Sequence, residues 1–185
     1  MMLAADPWES HAARIVEISQ EIAGVATYHL CIPSLTVPNK LPFCPGQFNM
    51  LYLPGVGESA ISVSGYDRSQ ETWLHTIRAV GNVTRMLARQ ELQGTLLVRG
   101  PFGNPWPLER CGNDPILIVA GGLGLAPLRP AIEWLLEHRG SSPQVTLIYG
   151  SRSPESLLYS SQYQDWQRRG LECICTVDRA SANWQ

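Results

Sequence analysis

The segment Ile116-Leu117-Ile118-Val119-Ala120-Gly121-Gly122-Leu123-Gly124-Leu125-Ala126-Pro127 constrains this chain of 185 residues more than any other. From Pro115 to Ala120 it is continuously apolar, the pattern of a strand buried on both faces of a parallel sheet. The strand runs into glycines and then into a helix-like stretch, Leu128 to Arg139, that ends at Gly140. A strand, a glycine turn and a helix bring free main-chain N–H groups and the positive end of a helix to one point, where a phosphate is favoured. Gly121, Gly122, Leu123, Gly124, Ala126 and Pro127 are therefore candidate nucleotide-binding residues. The spacing approaches the dinucleotide fingerprint, with Pro127 in place of its last Gly or Ala. The same residues would also make a tight strand–helix corner with no ligand.

The rest of the chain after residue 110 continues in the same style. Val145 to Tyr149 reads as a second buried strand, Ser156 to Arg169 as a helix stopped by Gly170, and Leu171 to Val177 as a third strand. Strand, helix, strand, helix, strand predicts a parallel α/β sheet. Three strands leave one face or edge poorly covered. Cys173 and Cys175, two apart on the third strand, share a face and read as buried or half-buried thiols.

Before residue 110 the texture is different. Short β-like runs (Arg14 to Ser19, Ala26 to Ile32, Gln47 to Leu53, Ala60 to Ser64, Thr72 to Val80, Leu96 to Arg99) alternate with turns. The 16 Gly and 14 Pro of the chain supply those turns. Such a series predicts an all-β sandwich or barrel. One helix interrupts it, with Val83, Met86, Leu87 and Leu92 at helical spacing. Gly81-Asn82-Val83-Thr84 opens this helix and reads either as a second phosphate site or as plain capping.

Composition excludes several classes. A hydrophobic fraction of 44% with a net charge of −2 excludes a disordered chain. The absence of a basic excess argues against a nucleic-acid binder. No apolar run reaches the ~18–20 residues of a membrane span. The N-terminal MMLAADPWESHAAR shows no secretory pattern. The five cysteines contain no C-x-x-C pair, so a zinc or iron–sulfur site built from this chain alone is not expected. Together these features predict a reducing, cytoplasmic location.

Taken in order, Pro45-Gly46-Gln47-Phe48, Ser59-Ala60-Ile61-Ser62, Gly81-Asn82-Val83-Thr84, Gly100-Pro101-Phe102-Gly103-Asn104, the glycine turn and Tyr149-Gly150-Ser151-Arg152 resemble the ferredoxin–NADP reductase superfamily over roughly residues 10–180. Arg99 to Pro107 and Gly55-Val56-Gly57-Glu58 look most like its electron-transfer branch: gamma subunits of sulfhydrogenase-type nickel–iron hydrogenases, the B subunit of anaerobic sulfite reductase, and the electron-transfer subunit of dihydroorotate dehydrogenase. The resemblance implies an N-terminal antiparallel Greek-key β-barrel that binds flavin (1–110). A C-terminally incomplete, Rossmann-like parallel α/β nucleotide domain (111–185) would follow. FAD is the expected flavin, ahead of FMN.

The resemblance also implies residue roles. Ile61 would pack on the flavin ring and Ser62 would sit near its N5, as the catalytic residue. The family's phosphate-binding arginine is replaced by Ser59; Arg78, in Thr76-Ile77-Arg78, would supply positive charge instead. Val83 and Thr84 would meet the pyrophosphate. Gly150, Ser151 and Arg152 belong to the nucleotide domain. Asp178-Arg179 stands where NADP-specific relatives carry a Ser-Arg pair, which favours NAD(H) over NADP(H). Relatives continue with two more strands and a cysteine cluster holding a two-iron, two-sulfur centre. An iron–sulfur cluster is therefore expected only in a missing C-terminal segment or a partner. The implied function is an FAD-dependent NAD(P)H oxidoreductase acting as electron-transfer subunit of a hydrogenase-, sulfite-reductase- or similar redox complex. A stand-alone flavin reductase and a non-catalytic assembly module are the alternatives.

Overall fold

A computed structural model describes residues 8–36, 40–138, 144–180 and 184. The first half forms β1 (His11–Ile22), β2 (Val25–Cys31), β3 (Phe48–Leu53), β4 (Gly57–Ser62), β5 (Gly65–Asp67), β6 (Thr72–Arg78), the short helix α1 (Asn82–Leu87) and β7 (Thr95–Phe102). The second half forms β8 (Ile116–Gly121), α2 (Leu125–His138), β9 (Val145–Ser151), α3 (Tyr163–Arg168) and β10 (Leu171–Val177).

The seven strands of the first half make one antiparallel sheet in the order β4-β3-β7-β1-β2-β6-β5. The order is not a meander, because β7 returns to lie between β3 and β1. Its two outer strands, β4 and β5, are consecutive in the chain and separated only by Val63 and Ser64. The two edges of the sheet therefore meet at this corner, and the sheet curls into a barrel. Inward-facing Ile15, Tyr28, Leu30, Leu51, Trp73, Ile77, Leu96 and Val98 fill it. Alternation of buried and half-exposed residues along β3 and β7 follows from one face packing on that core. Along β6 nearly every residue is buried, because one face meets the barrel core and the other meets the second half of the molecule.

The second half is a three-stranded parallel sheet, β10-β9-β8. Ile118, Ala120, Val145, Leu147, Tyr149 and Leu171 pack with Leu125, Ile132, Leu135 and Trp166 on its helical side. The strands add in one direction, so right-handed crossovers put α2 and α3 on the same face. The continuous apolar run at β8 predicts burial on both faces, and here the structure differs. Leu117 and Val119 are 61% and 65% exposed, because no described element crosses to their side.

Other differences are local. The helix expected from Val83 to Gln93 is α1 alone, six residues long. The helix expected from Ser156 to Arg169 is broken: Tyr159 adopts φ 59° and only Tyr163–Arg168 is α-helical. Helix α2 begins at Leu125 rather than Leu128, since a proline in the first turn has no N–H to satisfy. The expected stop at Arg139–Gly140 lies outside the described residues. β5, three residues long, was too short for a sequence pattern to reveal.

Candidate functional site

Two clefts lie where the barrel meets the parallel sheet. The first, of about 590 Å³, is lined by Ser59, Ala60, Ile61 and Ser62 from β4, Thr76, Ile77 and Arg78 from β6, Val80 and Thr84 at α1, and Leu123, Gly124, Ala126 and Pro127 from the glycine turn. The second, of about 680 Å³, is lined by Arg78, the glycine turn (Gly121, Gly122, Leu123), Gly150 and Ser151 at the end of β9 with Arg152 after it, and Thr176 near the end of β10 with Asp178 after it. Arg78 and Leu123 belong to both, so the two clefts share a wall.

The local structure explains these placements. β8 ends in Gly121, and Gly122 turns with φ +51°, a conformation that side chains other than glycine rarely tolerate. A 3-10 turn, Gly122–Gly124, then feeds directly into α2. The 14-residue helix thus aims its N-terminus at the clefts. A Cβ placed on Gly121 or Gly124 would meet nothing within 4 Å. Space for a ligand, rather than close packing within the fold, is what these glycines leave. At the other wall Tyr149, buried beneath the turn, donates its hydroxyl to Gly122 O at 2.9 Å and so fixes the loop from below.

Not every expected residue contributes in the expected way. Ile77 borders the first cleft but is 4% exposed and packs within the barrel core. Thr76 is equally buried, and its hydroxyl is engaged elsewhere, 2.6 Å from Tyr159 OH and 2.9 Å from Ser64 Oγ. Thr84 lines the first cleft, but its hydroxyl accepts the N–H groups of Gly81 (2.8 Å) and Val80 (3.1 Å). Of the two readings of this motif, capping accounts for that hydroxyl. Gly81, Asn82 and Val83 do not line either cleft; Val83 packs against the barrel core. Ile22, Ala23, Val80, Ser156 and Thr176 line the clefts without any sequence signal to mark them.

Behind the clefts lie polar groups, half-buried at Arg129 and fully buried at His75 and Asn49, that sequence reasoning did not single out. Arg129 of α2 donates from Nη1 to Ser64 O and from Nε to Gln162 Oε1, both at 2.9 Å, with its guanidinium over the Tyr159 ring. Inside the barrel, His75 lies between Asn49 and the carbonyl of Ser62. Burial pushes the His75 imidazole down to about 4, so it is neutral. The available signal was a histidine and two threonines among the apolar residues of β6 ahead of Arg78.

The residues present fit a flavin diphosphate and a nicotinamide nucleotide. A cationic Arg78 stands between the two clefts, glycines with open space line the turn, and the first turn of α2 lines the first cleft through Ala126 and Pro127. The class this defines is an oxidoreductase with two adjoining nucleotide clefts. Residues 118–185 match the family described as Oxidoreductase NAD-binding domain. Those residues carry that oxidoreductase domain, and the chain as a whole has the ferredoxin–NADP reductase-like fold.

The chain is similar to electron-transfer subunits. It is 29% identical over 175 residues to Sulfhydrogenase 2 subunit gamma of Pyrococcus furiosus, covering 95% of this chain and 60% of that one. It is 34% identical over 165 residues to the "Probable dihydroorotate dehydrogenase B (NAD(+)), electron transfer subunit" of Methanocaldococcus jannaschii, covering 89% and 56%. The chain thus spans little more than half the length of these relatives. Among solved structures, the cytochrome b5 reductase domain of Ulva prolifera nitrate reductase has the same fold, with TM-score 0.76 at 18% identity over 97% of this chain and 77% of that one. The family implies FAD and a pyridine nucleotide as the groups held. No described helix is long and apolar enough to cross a membrane.

Proposed function

We propose that this chain is the flavin- and nucleotide-binding part of an electron-transfer subunit, carrying electrons between NAD(P)H and a partner redox enzyme. The barrel, residues 1–110, would hold FAD, and residues 111–185 the nucleotide. The observation that carries this reading is the shared wall: Arg78 and Leu123 line both clefts, so two ligands bound there would lie against each other. Bound FAD would supply hydride acceptance from a reduced nicotinamide and one-electron transfer onward.

The chain's own residues position and tune. Ile61 offers an apolar surface to the ring. Ser62, at the last pair of the β3–β4 ladder, offers a hydroxyl at the reactive end. Arg78 balances phosphate charge in place of the arginine that Ser59 replaces. The main chain of Gly121, Gly122 and Gly124 admits the dinucleotide diphosphate close to the N-terminus of α2. Asp178 lines the nucleotide cleft and favours NAD(H), since a carboxylate repels a 2′-phosphate and accepts from ribose hydroxyls. Arg152 lines the same cleft.

The partner is the catalytic part of a hydrogenase-, dihydroorotate-dehydrogenase- or sulfite-reductase-type complex. The iron–sulfur centre of such a relay belongs outside these 185 residues. The deciding experiment is an absorption spectrum of purified protein, pigment extraction, and anaerobic titration with NADH and NADPH in parallel. Released FAD and bleaching of the flavin band at lower NADH than NADPH are expected. A colourless protein that does not take up added FAD would overturn the reading.

A further inference from the structure

The β4 strand ends at Ser62 in a way that leaves its peptide unsupported by the sheet. Val63 N donates to Gln47 O at 3.0 Å, and Phe48 stands opposite Ser62. In an antiparallel ladder that bond makes Phe48–Ser62 a non-hydrogen-bonded pair, whose own N–H and C=O groups point away from the partner strand. The N–H and C=O of Ser62 therefore face away from β3. Among the described residues no strand lies hydrogen-bonded on that side of β4, which is an edge of the sheet.

His75 meets this carbonyl. It lies on β6, fully buried, on the barrel-facing side with Trp73 and Ile77. Its Nδ1 is 3.0 Å from Ser62 O, which can only accept, so Nδ1 carries the hydrogen. Its Nε2 is 3.2 Å from Asn49 Nδ2, which can only donate, so Nε2 is the bare nitrogen. The two neighbours select one neutral tautomer. Asn49 is itself fully buried and sits opposite Ile61, the residue before Ser62. Gly100 closes over it: a Cβ there would collide with Asn49 Oδ1. A barrel interior is ordinarily filled with apolar side chains, and buried polar ones cost free energy unless their bonds are made. Here Asn49 Oδ1 is left without a hydrogen-bond partner among the described residues, which makes the pair a poor way to gain stability alone.

We propose that His75 is the positioning residue for Ser62: oriented by Asn49, its Nδ1–H holds the Ser62 carbonyl and so fixes the direction in which the Ser62 N–H and hydroxyl meet the first cleft. This rests on the reading of that cleft as the flavin site and names the residue that sets its reactive end. Asn49 and His75 touch neither cleft; they act through the Ser62 peptide.

The test uses the whole chain and three forms: wild type, His75→Leu and His75→Asn. Asparagine places its amide nitrogen at the same bond distance from the backbone as Nδ1 and keeps a donor for Ser62 O; leucine does not. With flavin bound, His75→Leu is expected to slow flavin reduction by NADH by roughly ten- to a hundred-fold. Flavin content and the dissociation constant for NADH should stay at wild-type values, and His75→Asn should recover most of the rate. Equal rates in wild type and His75→Leu, or no recovery by asparagine, would overturn the proposal. A second readout needs neither flavin nor a folded variant: the imidazole 15N shifts of His75 in the wild-type chain should report the Nδ1–H tautomer from pH 6 to 9. The Nε2–H tautomer would overturn it. A wild-type protein that binds no flavin would defeat the functional reading, while the tautomer would still decide the role of His75.

Discussion

Arg129 Nη1 donates to the main-chain oxygen of Ser64 at 2.9 Å, tying the first helix of the parallel half to the corner where the barrel's edges meet. Gly65 makes room for it, since a Cβ at that position would fall 2.5 Å from Nη1. Tyr159 completes the clamp, its hydroxyl on Thr76 and its ring beneath the guanidinium. Hydrogen bonds to a charged donor contribute about 1.5–3 kcal/mol each in favourable settings. Arg129→Ala should therefore destabilise the protein by about 2 kcal/mol in a denaturant titration. Arg129→Lys should recover less than half, because an ammonium cannot reach Ser64 O and Gln162 Oε1 in one planar fork. A variant as stable as wild type would show that the clamp contributes nothing.

His75 gives the stability a defined pH dependence. Its imidazole is held down to about 4, against 6.5 in an unfolded chain, because burial disfavours the cation. Between these values the unfolded chain binds more protons, so unfolding is promoted as pH falls. The contribution is fully present above pH ~6.5 and lost by pH ~4, on the order of 3 kcal/mol in all. Urea midpoints measured across this window should fall with pH in the wild type, and fall less in His75→Asn.

Gly124 separates folding from binding. Its added Cβ would meet open space, and its φ lies outside the left-handed region. Gly124→Val should change stability by less than about 1 kcal/mol. It should also weaken NADH binding by at least roughly ten-fold, because the branched side chain fills the approach to the helix N-terminus. Retained NADH affinity in a folded variant would remove the turn from the nucleotide site.

Ser62→Ala removes a hydroxyl that lines the first cleft and is part-buried. Flavin content should be unchanged, and reduction by NADH slowed by roughly ten-fold or more, as for loss of one oriented hydrogen-bonding group. Stopped-flow traces superimposable on wild type would take Ser62 out of the reaction.

Cys173 and Cys175 have their sulfurs 3.8 Å apart on one face of β10. A thiol of Cys173 donating toward Cys175 lowers the latter to about 7, while Cys173 is pushed up by the same bond. The thiolate is the reactive form. At pH 7.5 iodoacetamide should label Cys175 faster than Cys173 by at least roughly ten-fold, with peptide mass spectrometry as the readout. Equal labelling would refute the shared proton.

Local order determined what the sequence alone made legible. The apolar run at Pro115–Ala120, the glycines after it and the two later strand patterns predicted a parallel sheet with an anion-binding turn, because each depends on residues a few positions apart. The short strands and turns before residue 110 predicted an antiparallel β half for the same reason. The order of motifs carried a resemblance that implied flavin- and nucleotide-binding roles for Ser59–Ser62, Arg78 and the glycine turn. What only the tertiary structure decided are contacts between residues distant in sequence. Arg78 becomes the wall common to two clefts because β6 ends beside the β8 turn. Thr76 turns its hydroxyl to Tyr159, 83 residues away, and that contact accompanies the break in the expected helix there. Thr84 spends its hydroxyl on its own helix cap. The exposed face at Leu117 and Val119 follows from both crossovers falling on one side. His75 meets Ser62 because β4 and β6 approach where the barrel closes. Strand order and closure are set by the summed packing of the whole core, and no local pattern encodes them.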